Sequence, residues 1–190
     1  MREHSLNKQN PFIRGYYIDP SICDKIFEAS NNKRLDFLSG IKDYDDYSLT
    51  WLHHSVCDPY VKSIFEVIEE YKKEFTFCYK DLRAWGLCSQ IKIQRYQPGK
   101  YYSSWHCEMD GSDSRGWGQR HLVYMTYLND ISDGGGTEFF HQNLQVKPEK
   151  GLTLIWPADW THYHRGIVSN TEEKFIVSGW WNFFDHEGTT

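Results

Sequence analysis

The chain has 190 residues, 39% hydrophobic and 17% aromatic, with 8 Trp, 13 Tyr and 11 Phe. A chain this rich in rings buries enough apolar surface to offset its ordering entropy, which excludes a disordered protein and suits one compact domain. A net charge of -5 and a pI near 6.0 give no global attraction to nucleic acid or anionic membranes, and no apolar run approaches the roughly 18 residues that span a bilayer.

Taken in order, Gly15–Asp19 (GYYID) reads as a short strand. Asp19-Pro20 then supplies an N-cap and a first-turn proline for a helix ending near Ser30, with Ile22, Ile26 and Phe27 on one face. Asn31–Leu49 is polar and turn-rich, and is expected to be a mobile loop over a site. A second helix is predicted from Asp58-Pro59 to about Phe75. Val61, Ile64, Phe65, Ile68 and Tyr71 recur at helical spacing as a core-facing stripe.

After Lys80 the period becomes extended. Gln90–Tyr96, Ser103–Glu108, His121–Leu128, Thr137–Phe140, Leu152–Trp156 and Lys174–Phe184 are rich in β-branched and aromatic residues. They are separated by turn chemistry at Pro98-Gly99, Asp133–Gly136, Pro148–Gly151 and Gly166–Thr171. Two helices followed by many short strands predict an α+β, mainly β fold with helices on one face of a two-sheet core. The triple glycine at Gly134–Gly136 lacks the Lys-Ser/Thr of a phosphate loop and reads as a close backbone approach. Five cysteines (Cys23, Cys57, Cys78, Cys88, Cys107) are scattered without a CxxC pair. That pattern speaks against a disulfide framework and a structural zinc site, and for reduced thiols in a cytoplasmic setting. The start, MREHSLNKQNPF, lacks the apolar stretch of a secretory signal.

The chemistry concentrates at His106, Glu108 and His164. Residues i and i+2 of a strand share a face, so His106 and Glu108 can converge on one ion. A distant His completes a 2-His-1-carboxylate set, which leaves positions open for oxygen activation by Fe(II). H-x-E alone is weak evidence. It gains weight from Trp160–Gly166 (WTHYHRG) and from Lys174, ten residues after His164. A buried lysine is costly unless it meets an anion, and the far carboxylate of a metal-chelating dicarboxylate is such an anion. His162 competes with His164, and the spacing to Lys174 favours His164. Arg165 fits substrate contact and a structural salt bridge equally. His4, His53, His54, His121, His141 and His186 lack partner spacing. Trp105, Trp117, Trp156, Trp160 and Trp181 fit the core, or a platform near a mouth.

The ordered motifs Tyr96–Gly99 (YQPG), Trp105–Glu108 (WHCE), Tyr127–Asn129 (YLN), Gly134–Phe139 (GGGTEF), His164 and Lys174–Trp180 (KFIVSGW) resemble those of prolyl 4-hydroxylase-like 2-oxoglutarate/Fe(II) oxygenases. The likeness is strongest to small members from bacteria and phages. It spans about residues 90–184. It implies a double-stranded β-helix (jelly roll) over about 81–184 with helical support over about 1–80, together forming a single domain over 1–190. It also implies Fe(II), 2-oxoglutarate and O2, with ascorbate as an optional reductant, and release of succinate and CO2.

Residue by residue, His106, Glu108 and His164 match the metal ligands, and Lys174 the cation for the cosubstrate's far carboxylate. Tyr127 matches a Tyr bonding that same carboxylate, and Tyr96 a Tyr reaching toward cosubstrate or substrate. Ser178 and Trp180 match pocket-lining positions. The family usually has Asp where Glu108 stands. Glu is one methylene longer and must bend back, and Asp110 is the reserve ligand. The resemblance implies a prolyl residue in a peptide or protein as substrate. Open alternatives are a free amino acid, another small molecule or a nucleobase, with nucleic acid disfavoured by the acidic charge. From other classes come a non-catalytic metal- or ligand-binding jelly roll and a zinc or nickel cupin. No membrane partner is expected.

Overall fold

The computed structural model describes residues 1–8, 11–31, 36–41, 44–49, 54–109 and 117–184. Asp110, His53 and His186, weighed above, lie outside them.

Twelve strands and two helices appear among the described residues: β1 (Arg2–Glu3), β2 (Arg14–Tyr17), α1 (Pro20–Asn31), β3 (Asp36–Ile41), β4 (Tyr44–Ser48), α2 (His54–Glu74), β5 (Trp85–Leu87), β6 (Lys92–Tyr96), β7 (Arg120–Tyr127), β8 (Thr137–Phe139), β9 (Leu144–Val146), β10 (Leu152–Pro157), β11 (His164–Gly166) and β12 (Lys174–Phe183). The major sheet runs β1-β2-β10-β7-β12-β6-β4-β3, with β5 also on β12, and all its described pairings are antiparallel. The minor sheet is β11-β8-β9. It is widened by a bridge in which His106 N donates to His164 O (3.0 Å) and His164 N to His106 O (2.9 Å). The two sheets face each other as the expected double-stranded β-helix.

Strand alternation divides the apolar residues between two cores. Leu122 and Tyr124 of β7, with Phe175, Val177 and Trp181 of β12, face the helices, where Ile26 of α1 and Ile64, Ile68 and Tyr71 of α2 cover them. Val123, Met125 and Tyr127, with Ile176 and Trp180, face inward against Phe139, Val146 and Trp156. Tyr60 of α2 is fully buried without polar cost, because its hydroxyl meets Thr126 Oγ1 (2.9 Å), which in turn meets Thr153 Oγ1 (2.8 Å).

Asp19 caps α1 as expected, its Oδ1 accepting from Ser21 N at 2.9 Å. Four expectations change. Helix α2 starts at His54, so Pro59 is its sixth residue rather than its start, and there it removes one N–H from the helical ladder. Phe65 is 47% exposed, at the edge of the predicted stripe, although its ring meets Trp181 edge-on. The segment expected to be a mobile loop over a site instead holds the hairpin β3–β4. Its second strand extends the major sheet from β6, pairing Asp45–Ser48 with Lys92–Arg95.

The predicted strand Ser103–Glu108 shrinks to the single bridge at His106. The triple glycine is a close approach as read. A Cβ on Gly134 would lie 2.1 Å from Val168 O, and one on Gly136 2.2 Å from Val146 O. All five cysteines are free. Among the described residues no helix is long and apolar enough to cross a membrane.

Candidate active site

A cavity of about 320 Å³ opens between the sheets. Its wall includes His106, Glu108 and His164, alongside Lys174, Ser178 and Trp180 of β12, Lys92, Gln94 and Tyr96 of β6, Thr137 of β8, and Tyr44 of the hairpin. Of the predicted site residues only Tyr127 is absent from this wall. Its ring is fully buried behind it, and its hydroxyl meets the wall residue Thr137 at 2.7 Å.

The two histidines are brought together by backbone pairing, and their ring centroids are 4.3 Å apart. His106 Nδ1 donates to Ser104 O (3.0 Å) and His164 Nδ1 to His162 O (2.9 Å). A carbonyl only accepts, so both Nδ1 atoms carry a proton and both Nε2 atoms are left turned toward the cavity as the ligand atoms. Both Nε2 atoms face Glu108, whose Oε1 is 3.5 Å from His106 Nε2 and 3.7 Å from His164 Nε2. The three ligand atoms lie within 4.8 Å of one another.

Two imidazoles and one carboxylate form the facial donor set that suits Fe(II) with open positions, so the residues fit the ion. His162, the competitor, is buried elsewhere with Nδ1 on Thr161 Oγ1 (2.8 Å), and serves the site through its carbonyl.

Glu108 Oε2 accepts from Arg120 Nη1 (2.9 Å) and Trp180 Nε1 (3.0 Å). Burial would push this carboxyl up, yet the facing imidazoles of His106 and His164 outweigh it and hold it well below the usual carboxylate range. It is therefore ionised, as a ligand must be. Trp180, expected only to line the cosubstrate pocket, is a hydrogen-bond donor to the carboxylate. Arg120 escaped sequence reasoning altogether, because its twelve-residue separation from Glu108 carries no periodicity.

Lys174 is 5% exposed, and burial alone lowers its pKa to about 8. No carboxylate pairs with it among the described residues. Its Nζ sits 4.5 Å from the Tyr96 ring centroid and 3.4 Å from where a Cβ on Gly166 would stand. A desolvated cation on a cavity wall that also offers a metal set is built for an anion. Tyr96 stacks on Tyr44, which stacks on Tyr102, with centroids 5.0 and 6.3 Å apart.

Arg165 makes the expected salt bridge, to Glu138 through Nε (2.9 Å), covers the Trp105 ring at 4.4 Å, and lines the cavity. From Trp105 a chain of rings leads outward through Phe140 (5.2 Å) and His141 (5.3 Å) to Trp160 (6.0 Å). Trp156 and Trp181 are core residues.

Comparison with known proteins agrees with this arrangement. The model of the 2OG-Fe(II) oxygenase superfamily matches residues 91–182. The chain is 29% identical over 188 residues to the "Putative prolyl 4-hydroxylase" of Acanthamoeba polyphaga mimivirus, covering 90% of this chain and 73% of that one. The fold superimposes with a TM-score of 0.74 on a viral collagen prolyl hydroxylase from Paramecium bursaria Chlorella virus 1, solved with 2-oxoglutarate, at 21% identity over 93% of this chain and 98% of the other. A prolyl 4-hydroxylase from Pseudomonas putida gives 0.68 at 15% identity, over 95% and 96%. Over residues 91–182 the chain is similar to the 2OG-Fe(II) oxygenase superfamily, and over most of its length to prolyl 4-hydroxylases within it. It is an enzyme, a 2-oxoglutarate- and Fe(II)-dependent dioxygenase that also consumes O2.

Proposed function

We propose that this oxygenase hydroxylates a prolyl residue in a peptide or protein, with His106, Glu108 and His164 holding the iron and Lys174 anchoring 2-oxoglutarate. The observation that carries the site assignment is Lys174, a buried cation with no carboxylate partner among the described residues, on the same wall as a three-donor metal set. Bound Fe(II), 2-oxoglutarate and O2 supply the chemistry: one oxygen atom enters a substrate C–H bond as the cosubstrate becomes succinate and CO2.

The chain's own residues supply position and exclusion of water. The carbonyls of Ser104 and His162 aim the imidazoles, so no rotamer search precedes metal binding. Lys174 neutralises the far carboxylate of the cosubstrate. Thr137 offers it a hydroxyl, and Tyr127 orients that hydroxyl from behind through the 2.7 Å bond. Tyr96 covers the Lys174 ammonium, while Ser178 adds a further polar contact along β12. Val123, Met125, Ile176 and Trp156 keep the reacting region apolar.

The support for a polypeptide substrate is the ring chain outside the cavity. Trp160 and Phe140 are 66% and 61% exposed, and Tyr163 adds a third ring at the wall. Aromatic surfaces dock extended proline-rich segments, which lose little entropy on binding. The mimivirus relative's name points the same way. The test is mass spectrometry of proline-rich peptides incubated with enzyme, Fe(II) and 2-oxoglutarate. Gain of one oxygen on proline, abolished in His164→Ala, is expected. Succinate formed with free amino acids but with no peptide would replace the prolyl assignment by a small-molecule one.

A further inference from the structure

The departure from Asp to Glu at the carboxylate ligand has a structural counterpart on the opposite side of that carboxylate. A free glutamate has three rotatable side-chain bonds, so it can swing away or chelate through both oxygens. In Glu108 both freedoms are restricted. Oε2 takes two N–H groups, from Arg120 (2.9 Å) and Trp180 (3.0 Å), which leaves Oε1 as the oxygen facing the imidazoles. The backbone is tied as well: Glu108 N donates to Ala158 O (3.0 Å), and Glu108 O accepts from Arg120 Nη1 (3.1 Å).

The two donors brace each other, with the Arg120 guanidinium 3.6 Å above the Trp180 ring. They come from neighbouring central strands, where Trp180 pairs with Val123 and Asn182 with Arg120. The register of β7 and β12 therefore sets the clamp without help from a loop.

We infer that Arg120 and Trp180 are positioning residues that convert Glu108 into a fixed, single-oxygen ligand, and that the extra methylene exists to reach them. An aspartate on the same backbone is too short to meet both donors and the two imidazoles together. Glutamate at this position is thus part of a three-residue unit, in which restoring the family's usual Asp does harm. The inference rests on the reading of His106, Glu108 and His164 as the metal set.

The test is Mn2+ binding to the full chain without cosubstrate, followed by electron paramagnetic resonance of the free ion, with thermal unfolding of the metal-free protein as folding control. Loss of an outer partner of a metal ligand weakens binding by about 10- to 100-fold. Trp180→Phe keeps the ring and removes only the N–H, and is expected at about tenfold; Arg120→Met is expected nearer a hundredfold. Glu108→Asp is expected to weaken binding at least about tenfold, and in that background Trp180→Phe should add nothing. Wild-type affinity in Trp180→Phe, or an equal loss in both backgrounds, overturns the clamp alone. Undiminished Mn2+ binding by His164→Ala overturns the metal set and the clamp with it. Should Arg120→Met not fold, Trp180→Phe in the two backgrounds decides the matter.

Discussion

Strand β12 presents two different chemistries on its two faces. Phe175, Val177 and Trp181 pack under the helices in an apolar layer, with Phe27 of α1 meeting Phe175 edge-on at 4.8 Å. Lys174, Ser178 and Trp180 face the cavity, whose wall also holds the half-buried carboxylate of Glu108. The outer face contributes stability through burial, on the order of 1.5–3 kcal/mol per large side chain. The inner face holds charged groups that burial penalises, and their arrangement is explained by binding rather than folding. Substitutions on the two faces should therefore move different observables.

The largest expected effect is on the inner face. His164→Ala should bring 2-oxoglutarate turnover to background while the metal-free protein melts like wild type, as read by succinate release and calorimetry. Ile64→Ala, on α2 beneath the sheet, should do the reverse. It should cost about 2–5 kcal/mol in denaturant unfolding, with unchanged kcat per folded molecule. A comparable loss of kcat in Ile64→Ala would end the division between faces.

Lys174→Met should couple the two observables with opposite signs, raising the KM for 2-oxoglutarate strongly while stabilising the free protein. The pH dependence has a defined sign. The folded pKa of about 8 lies below the ordinary lysine value of 10.5, so between these values the unfolded chain binds more protons and stability rises with pH. The destabilisation is full below about pH 8 and fades above it. The difference between wild type and Lys174→Met should accordingly shrink from pH 7.5 to 9.5 in urea melts, and a difference independent of pH would argue that Lys174 is paired.

The smallest effect belongs to the outer ring chain. Trp160→Ala should raise KM for a proline-rich peptide by about tenfold, in the range of one interface hot spot, and leave KM for 2-oxoglutarate unchanged.

Much of this division was legible before any coordinates. Period-two spacing put His106 with Glu108, because a strand's alternation is written directly in sequence. The cost of burying an unpaired ammonium singled out Lys174. Other features depend on register between distant strands. Arg120 joins Glu108 because both border Ala158, where Glu108 N donates to Ala158 O and Ala158 N to His121 O, and nothing local to either residue announces it. Tyr127 was assigned to the cosubstrate on its place in a motif, whereas only the packing of β7 against β8 shows Thr137 standing in front of it. The hairpin β3–β4 was hidden for another reason: Tyr44–Ser48 (YDDYS) is polar, and polar residues suit an edge-side strand as well as a loop. The strands β5, β9 and β11 have three residues each, too short to show a period.

The central claim is that one cavity holds both the metal set and the cation for the cosubstrate. Isothermal titration of 2-oxoglutarate into the Mn2+-loaded protein tests it most directly, with wild type, His164→Ala and Lys174→Met compared under identical conditions. The account predicts one site per chain in wild type, no measurable binding without the metal or in His164→Ala, and affinity at least about tenfold weaker in Lys174→Met, the order of one charge-assisted contact. Wild-type affinity in Lys174→Met, or binding that ignores the metal, would contradict it.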